Sequence, residues 1–245
     1  MPTFLHGKNS RILLANPTAN TNYDISQFFN DVSVTRNIET PETTTFQGNG
    51  FKTYIPGLKA GAISLTGFYE GSASGLDAIL TEALTNDADD GAIVFPDGGT
   101  AENSRCLMAR GIEGKYDLKS PVSGVVGADT ELAADGGVWN GRGIFKTIST
   151  SYNSTAYNYG STTTRGGLVI MGCTALTGTS PTLTLTFQHS SDGSTWVNFS
   201  PSVSVSGVGT TVTVINSSIY AYTRISATVG GTSPSATIYF GFARY

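Results

Sequence analysis

The sequence predicts a mainly β protein in two parts: an N-terminal β-sandwich or barrel with one flanking α-helix, and a C-terminal immunoglobulin-like antiparallel β-sandwich. Three observations predict it. Glycine supplies 30 of the 245 residues and charged residues only 13%, the balance of turn-rich antiparallel sheet rather than of helix bundles. Short runs alternate apolar and polar residues along most of the chain, the two-residue period of half-buried strands. One stretch alone carries a convincing helical period.

In order, Arg11 to Ala15 reads as a first strand, followed by a polar loop with Pro17 and the asparagines Asn16, Asn20 and Asn22. Asp24 to Asn30 reads either as a helical turn capped by Asp24 or Ser26, or as an irregular apolar anchor. Val32, Val34, Arg36 and Ile38 alternate with polar neighbours, a half-buried strand. Glu39 to Gly57 then mixes β-formers (Thr43 to Phe46, Phe51 to Ile55) with the breakers Pro41, Gly48, Gly50, Pro56 and Gly57. So long a loop inside a compact domain is functional or disordered. Its aromatics favour a segment that folds against a partner.

From Ala62 to Tyr69 the alternation places Ile63, Leu65 and Tyr69 on one side, with Ser64, Thr66 and Phe68 on the other. The period then changes: Leu76, Ile79, Leu80, Ala83 and Leu84 form one stripe of a helix. Ser74 is the expected N-cap, and Asp77 sets negative charge at the positive helix end. Ala92 to Phe95, Ser104 to Arg110, Lys115 to Leu118, Val122 to Val126 and Val138 to Phe145 read as further strands, which the helix covers on one face or edge.

Residues 1–146 form the first predicted domain. Residues 147–166 shift to Ser, Thr, Tyr, Asn and Gly without periodicity and read as an extended linker. Residues 167–245 resume the strands, among them Leu168 to Met171, Leu183 to Phe187, Trp196 to Phe199, Val203 to Val205, Thr211 to Ile215, Ile219 to Val229 and Ala236 to Phe242. Gly178-Thr179-Ser180-Pro181 and Gly231-Thr232-Ser233-Pro234 repeat one tetrapeptide, each between two β runs, and read as comparable hairpin connections. In Ser190 to Trp196, Asp192-Gly193 makes a tight turn and Trp196 returns to the sheet. Such runs occur in β-sandwich modules, some of which bind carbohydrate, so Trp196 is a candidate surface-binding residue, although one Trp is not a platform.

Charge is unevenly spread. Every acidic residue but Asp192 lies at or before Asp135, and Arg165, Arg224 and Arg244 are the only bases beyond Lys146, within a net of −4. A basic nucleic-acid-binding face is not expected. Neither His6 nor His189 stands near a Cys, a carboxylate or another His at metal-ligand spacing, and nucleophile elbows and Walker-type loops are missing. Asp87, Asp89 and Asp90 begin like a calcium loop but lack its Gly and its closing Glu. No catalytic, cofactor or metal site is therefore predicted, and the chain reads as a non-enzyme. Cys106 and Cys173 read as reduced, buried thiols. No run reaches the length of a membrane span, and Met1 to Lys8 lacks the apolar core of a signal peptide, so a cytoplasmic origin is expected.

Several stretches together resemble the major tail tube proteins of long-tailed, siphovirus-type bacteriophages: Met1 to Lys8, Tyr23 to Asn30, Thr40 to Phe46 and Lys52 to Gly61, followed by the strand–helix unit. The likeness covers about residues 1 to 146, and 167–245 resemble the extra sandwich that some actinobacteriophage tube subunits carry. The expanded Asn16 to Asn22 loop and the long linker depart from the pattern. The resemblance implies a virion protein that self-assembles in the host cytoplasm into stacked hexameric rings, the tail tube through which the genome leaves. It further implies tape-measure, terminator and tip proteins as partners, and passage of double-stranded DNA without specific binding. Phe46, Phe51, Tyr54 and Ile55 are then candidate inter-subunit or inter-ring contacts, and Ser64 and Thr66 candidate lumen-facing residues. An acidic first domain agrees, since like charge keeps DNA from adhering to a channel wall. The alternative is a capsid decoration protein or a host-surface carbohydrate-binding adhesin.

Overall fold

The computed structural model describes residues 7–45, 51–73, 75–85, 89–199 and 203–245. After a 3-10 turn at Gly7–Asn9, β1 (Arg11–Asn16) and β2 (Thr21–Asp24) form a hairpin, and a second 3-10 turn (Ser26–Phe28) leads into β3 (Phe29–Ile38). Then follow β4 (Lys59–Phe68), α1 (Leu76–Thr85), β5 (Asp90–Phe95), β6 (Ser104–Lys119), β7 (Gly127–Ala134) and β8 (Trp139–Ile148). Two short strands, β9 (Tyr152–Asn153) and β10 (Tyr157–Asn158), precede the long β11 (Gly167–Ser190). Last come β12 (Val197–Asn198), β13 (Ser204–Ser206), β14 (Gly209–Ile215) and the long β15 (Tyr222–Arg244). The protein is mainly β, and all the strand pairs are antiparallel.

β6 divides the first part into layers. Its first half pairs with β5 and β8, and from Gly111 on it pairs with β7, through a bulge between Glu113 and Lys115. One layer is thus β3–β4–β7–β6 and the other β2–β1–β5–β6–β8. Between them lie Ile12, Leu14, Ile63, Leu65, Val94 and Leu132, joined by Ile79 and Ala83 of α1. The helical stripe therefore faces the core as its period predicts, except that Leu84 is 44% exposed at the C-terminal end. The expected N-cap Ser74 lies outside the described residues.

β1 and β5 are buried on both faces, which is why Ile12-Leu13-Leu14-Ala15 and Ala92-Ile93-Val94-Phe95 are unbroken apolar runs. Their second faces meet a core built from the other part of the chain: Leu13, Ile93, Phe95, Cys106 and Met108 pack with Leu168, Ile170 and Tyr239. The sheet reaches this core by continuing from β8 into β15, from β15 into β11 and from β11 into β14. It curls until β14 returns to β1 and β2. There Asn20 Oδ1 accepts the Thr210 N–H at 3.0 Å and Asn22 Nδ2 donates to Cys173 O at 3.1 Å. The approach is close enough that a Cβ on Gly91 would lie 2.5 Å from Val212 Cγ2. Cys106 and Cys173 are free, buried thiols.

The two Gly-Thr-Ser-Pro tetrapeptides are not hairpin connections. Each lies in the middle of a long strand, β11 or β15, and they face each other across the pair, with Thr179 opposite Thr232. Register shifts flank that pair on both sides, and Ser180 and Ser233 take matching left-handed φ values of 50° and 48°. The arrangement is a pair of bulges related by a local two-fold axis, and a bulge is the place in a sheet interior that tolerates a proline. Here the ribbon folds over. A straight strand from Val169, the partner of Phe242, to Phe187 would span roughly 60 Å, yet the Phe187 and Phe242 rings lie 5.0 Å apart. The folded ribbon encloses a third core of Val169, Met171, Leu183, Leu185, Phe187, Ile225, Ile238 and Phe240.

Two other sequence expectations, at Val122 to Val126 and at Tyr69, need amendment. Val122 to Val126 is an exposed turn, and the strand is β7 immediately after it. Tyr69 lies one residue past β4 and is 37% exposed, so it does not join Ile63 and Leu65 in the core. Residues 147–166, read from the sequence as an extended linker, are extended along neighbouring chain: β9 and β10 pair with β15, Ser154 and Ile225 exchange hydrogen bonds at 3.0 Å, and Thr163 does so at 2.9 Å with Ile219, which precedes β15.

Candidate assembly surfaces

β3 and β4 continue beyond their sheet as an exposed arm. Glu39 N–H donates to Leu58 O at 2.9 Å, Gly57 N–H to Glu39 O at 2.7 Å, Ile55 N–H to Pro41 O at 3.1 Å and Thr43 N–H to Thr53 O at 2.8 Å. Glu42 and Tyr54 form a bridge, and Lys52 Nζ reaches Glu42 Oε2 at 2.9 Å. Thr and aromatic residues suit such a ribbon, but the breakers interrupt it and no layer of the described residues backs it. Its described residues are all exposed from Asn37 to Thr45 and from Phe51 to Ala60. Phe51 is 76% exposed, Leu58 75%, Tyr54 54% and Ile55 52%. A two-stranded ribbon is marginal alone, and exposed apolar groups of this density mark interaction surfaces. Phe46, the remaining predicted contact residue, lies outside the described residues.

The outer face of β3–β4–β7–β6 is polar. Ser64 stands between Ser33 and Glu131, and Thr66 between Asp31 and Asp129. Lys115 and Asp117 continue those two rows on β6. Ser64 Oγ donates to Glu131 Oε2 at 3.0 Å, Lys119 pairs with Asp129, and Lys115 pairs with Asp117 at 3.0 Å. Alternation fixes this: Ile63 and Leu65 go to the core, so Ser64 and Thr66 face away from it. Phe68 ends β4 on the same face, 47% exposed. Beside it, at the end of the sheet opposite the arm, the turn after β6 exposes Val122 fully and Val125 to 69%, with Leu118 half exposed. β3 pairs with β4 alone, and the second half of β6 with β7 alone, so both edges of this four-stranded layer are open among the described residues.

Trp196 lies elsewhere, in the connection between β11 and β12. The Arg224 guanidinium sits 4.1 Å over its ring, and Arg224 Nε donates to Gln188 Oε1 at 2.8 Å. The preceding turn forms as expected: Asp192 Oδ1 accepts the Ser194 and Thr195 N–H groups at 2.8 and 2.7 Å, which holds its carboxyl well below the usual range. His189 stacks on Tyr220 at 4.4 Å. Among the described residues no group of three or more His, Cys, Asp and Glu is arranged to hold a metal, and no helix is long and apolar enough to cross a membrane.

Sequence reasoning missed a buried acidic pair beneath α1. Asp90 is fully buried with neither carboxyl oxygen hydrogen-bonded, and Glu113 is bonded only through Oε1, to Thr130. Burial, then Glu82 and Asp89, push Asp90 up to about 7; burial chiefly, with Asp90 adding, pushes Glu113 to about 7. The signal was faint: Asp90 stands just before the predicted strand Ala92 to Phe95, and Glu113 falls between the predicted strands Ser104 to Arg110 and Lys115 to Leu118, which the structure joins into β6.

No family model matches this chain, and neither does any curated protein. Among solved structures, it is similar to a chain from the tail of an empty gene transfer agent particle computed with C6 symmetry, at 16% identity and a TM-score of 0.44, covering 55% of this chain and 97% of that one. A chain of the anti-feeding prophage baseplate, 6-fold symmetrised, matches at 12% and 0.44, covering 57% and 95%. The Dit protein of phage SPP1, described as a paradigm of the hub adsorption apparatus in phages infecting Gram-positive hosts, matches at 11% and 0.39, covering 94% and 98%. At these scores the likenesses carry no functional argument.

Proposed function

We propose that the chain is a structural subunit of a phage-type tail, and specifically a tail tube protein. Copies join through the open edges of β3 and β6 into a hexameric ring, and rings stack through the arm into a tube. Edge-to-edge joining of unlike edges is heterologous and closes into a ring when the rotation permits. The outer face of β3–β4–β7–β6 then lines the channel, placing Ser64 and Thr66 beside Asp31, Asp129 and Glu131. Such a lining is polar and net acidic, so it does not hold passing DNA. Residues 1–146 make the ring, and residues 167–245 decorate the outside.

The observation that carries this reading is the arm: Phe51, Tyr54, Ile55 and Leu58 project from a ribbon that no layer of the described residues backs. Burying each on a neighbour contributes about 1.5–3 kcal/mol. The test is negative-stain microscopy of the purified chain at high concentration, alone and seeded with tail material. Rings or tubes are expected from the intact chain and not from one in which residues 42–54 are replaced by a tight Asn-Gly turn. A well-folded chain that stays monomeric under every seeding condition would refute it. The adhesin reading loses support because Arg224 already covers one face of Trp196.

A further inference from the structure

Arg105 and Arg142 stand directly opposite each other on β6 and β8. Like charges in that relation are destabilising unless something shares them. The two arginines line a cleft of about 270 Å³ together with Asn140, Tyr157 and Tyr159, with Cys106 and Gly141 also in its wall.

The cleft is a set of donors. Arg142 Nη1 donates to Asn103 O at 3.2 Å and its guanidinium sits 4.7 Å over the Tyr157 ring, which fixes its position. Asn140 Oδ1 already accepts from Arg36 Nη2 at 2.9 Å, so its amide N–H groups are the part left to offer. Arg244 lies 5.1 Å over Tyr159, behind the wall, and adds a further positive charge. No carboxylate lines the cleft, and among the described residues none of Arg36, Arg105, Arg142 and Arg244 forms an ion pair. The Arg105 side chain makes no hydrogen bond among the described residues, whereas Arg11, Arg110, Lys115, Lys119 and Lys146 on these layers are paired with carboxylates.

We propose that this cleft binds a small oxyanion of the phosphate or carboxylate class, held between the guanidinium groups of Arg105 and Arg142. The planar fork of a guanidinium matches two oxygens of such a group, and charge-assisted bonds are the strong ones. The anion relieves the repulsion across β6 and β8. It also joins those strands to Tyr157 and Tyr159, tying residues 147–166 to the first part of the chain.

The experiment is calorimetric titration of the full chain with inorganic phosphate at constant ionic strength, with acetate and sulfate as parallel arms. Saturable binding with one site per chain is expected, with acetate and sulfate ranking the preference for planar or tetrahedral oxygens. Arg105→Gln should weaken it about ten-fold or more, the loss of a charge-assisted bidentate pair. Arg105 is exposed, so this variant keeps the fold. Arg142→Gln should act likewise, and Arg165→Gln, an exposed arginine outside the cleft, should leave binding unchanged. Heat that only tracks dilution in all three arms, or saturable binding of equal strength in Arg105→Gln, would overturn the proposal.

Discussion

Asn22 Nδ2 donates to the carbonyl oxygen of Cys173 at 3.1 Å, joining points of the chain 151 residues apart. With Asn20 accepting from Thr210 N–H, it clasps the β1–β2 turn to β11 and β14. The two bonds run in opposite directions, so the same substitution should act differently on them. Asn22→Asp sets an acceptor against the Cys173 carbonyl and buries charge beside an Oδ1 that already lacks a partner; it should cost about 2–3 kcal/mol. Asn20→Asp keeps its acceptor and tolerates the φ of 55°, so it should cost under about 1 kcal/mol. Urea unfolding of both variants gives the comparison, and equal losses would contradict the assigned bonds.

Asp90 and Glu113 set a pH dependence. Their carboxyls rise from 3.8 and 4.5 to about 7 in the folded chain, so between about pH 4 and 7 the native state holds more protons than the unfolded one. Stability therefore falls as pH rises through that window and levels off above it. Glu82 and Asp89 face Asp90 with the same sign, while Arg110 is engaged by Asp89 and Asp135. Asp90→Asn and Glu113→Gln should flatten the slope and raise the melting temperature at pH 8, with little change at pH 5. Melting curves across pH 5 to 8 test this. A wild-type curve that rises toward pH 7 would reject it.

Gly178 and Gly231 occupy equivalent places in the paired bulges, at φ of 130° and 105°. A Cβ on Gly178 would meet Pro234 Cα at 3.0 Å, and one on Gly231 would meet the Ser180 oxygen at 2.7 Å. Each Gly→Ala change should cost about 1–3 kcal/mol. The double variant should lose less than the sum, because both strain one joint. Denaturant midpoints of the three variants decide it.

Assembly and folding separate in the arm. Phe51→Ser with Ile55→Ser removes apolar groups that touch little of their own chain, so chain stability should stay within about 0.5 kcal/mol. Rings or tubes should disappear. Thermal melts beside electron micrographs report both quantities on one sample.

Local pattern made α1, β1, β4 and β5 legible: the stripe of α1 and the alternation of β4 each answer to one core, and the unbroken apolar runs of β1 and β5 answer to a core on either face. β7 was not legible: in Gly127-Ala128-Asp129-Thr130-Glu131-Leu132 the inward positions are Ala128, Thr130 and Leu132, of which only Leu132 is a large apolar side chain, and its place is set by β4 and β6. The Gly-Thr-Ser-Pro tetrapeptides were misread because glycine and proline look like a turn when seen locally, whereas the partner of each is the other tetrapeptide. At the candidate surfaces, the polar phase of Ser64 and Thr66 and the aromatics of the arm were readable. The Arg224 guanidinium over Trp196 and the Arg105–Arg142 pairing were not, since both depend on register across distant strands.

The matched bulges also settle a problem of alignment. β11 and β15 are 24 and 23 residues long, and near the bend both are rich in Thr and Ser, a composition that lets paired strands slide past one another. A slip of one residue would set each proline against a ladder position that needs an N–H, and each left-handed serine against a residue with no room for it. The two tetrapeptides therefore act as a key cut into both strands, and only one alignment lets them close.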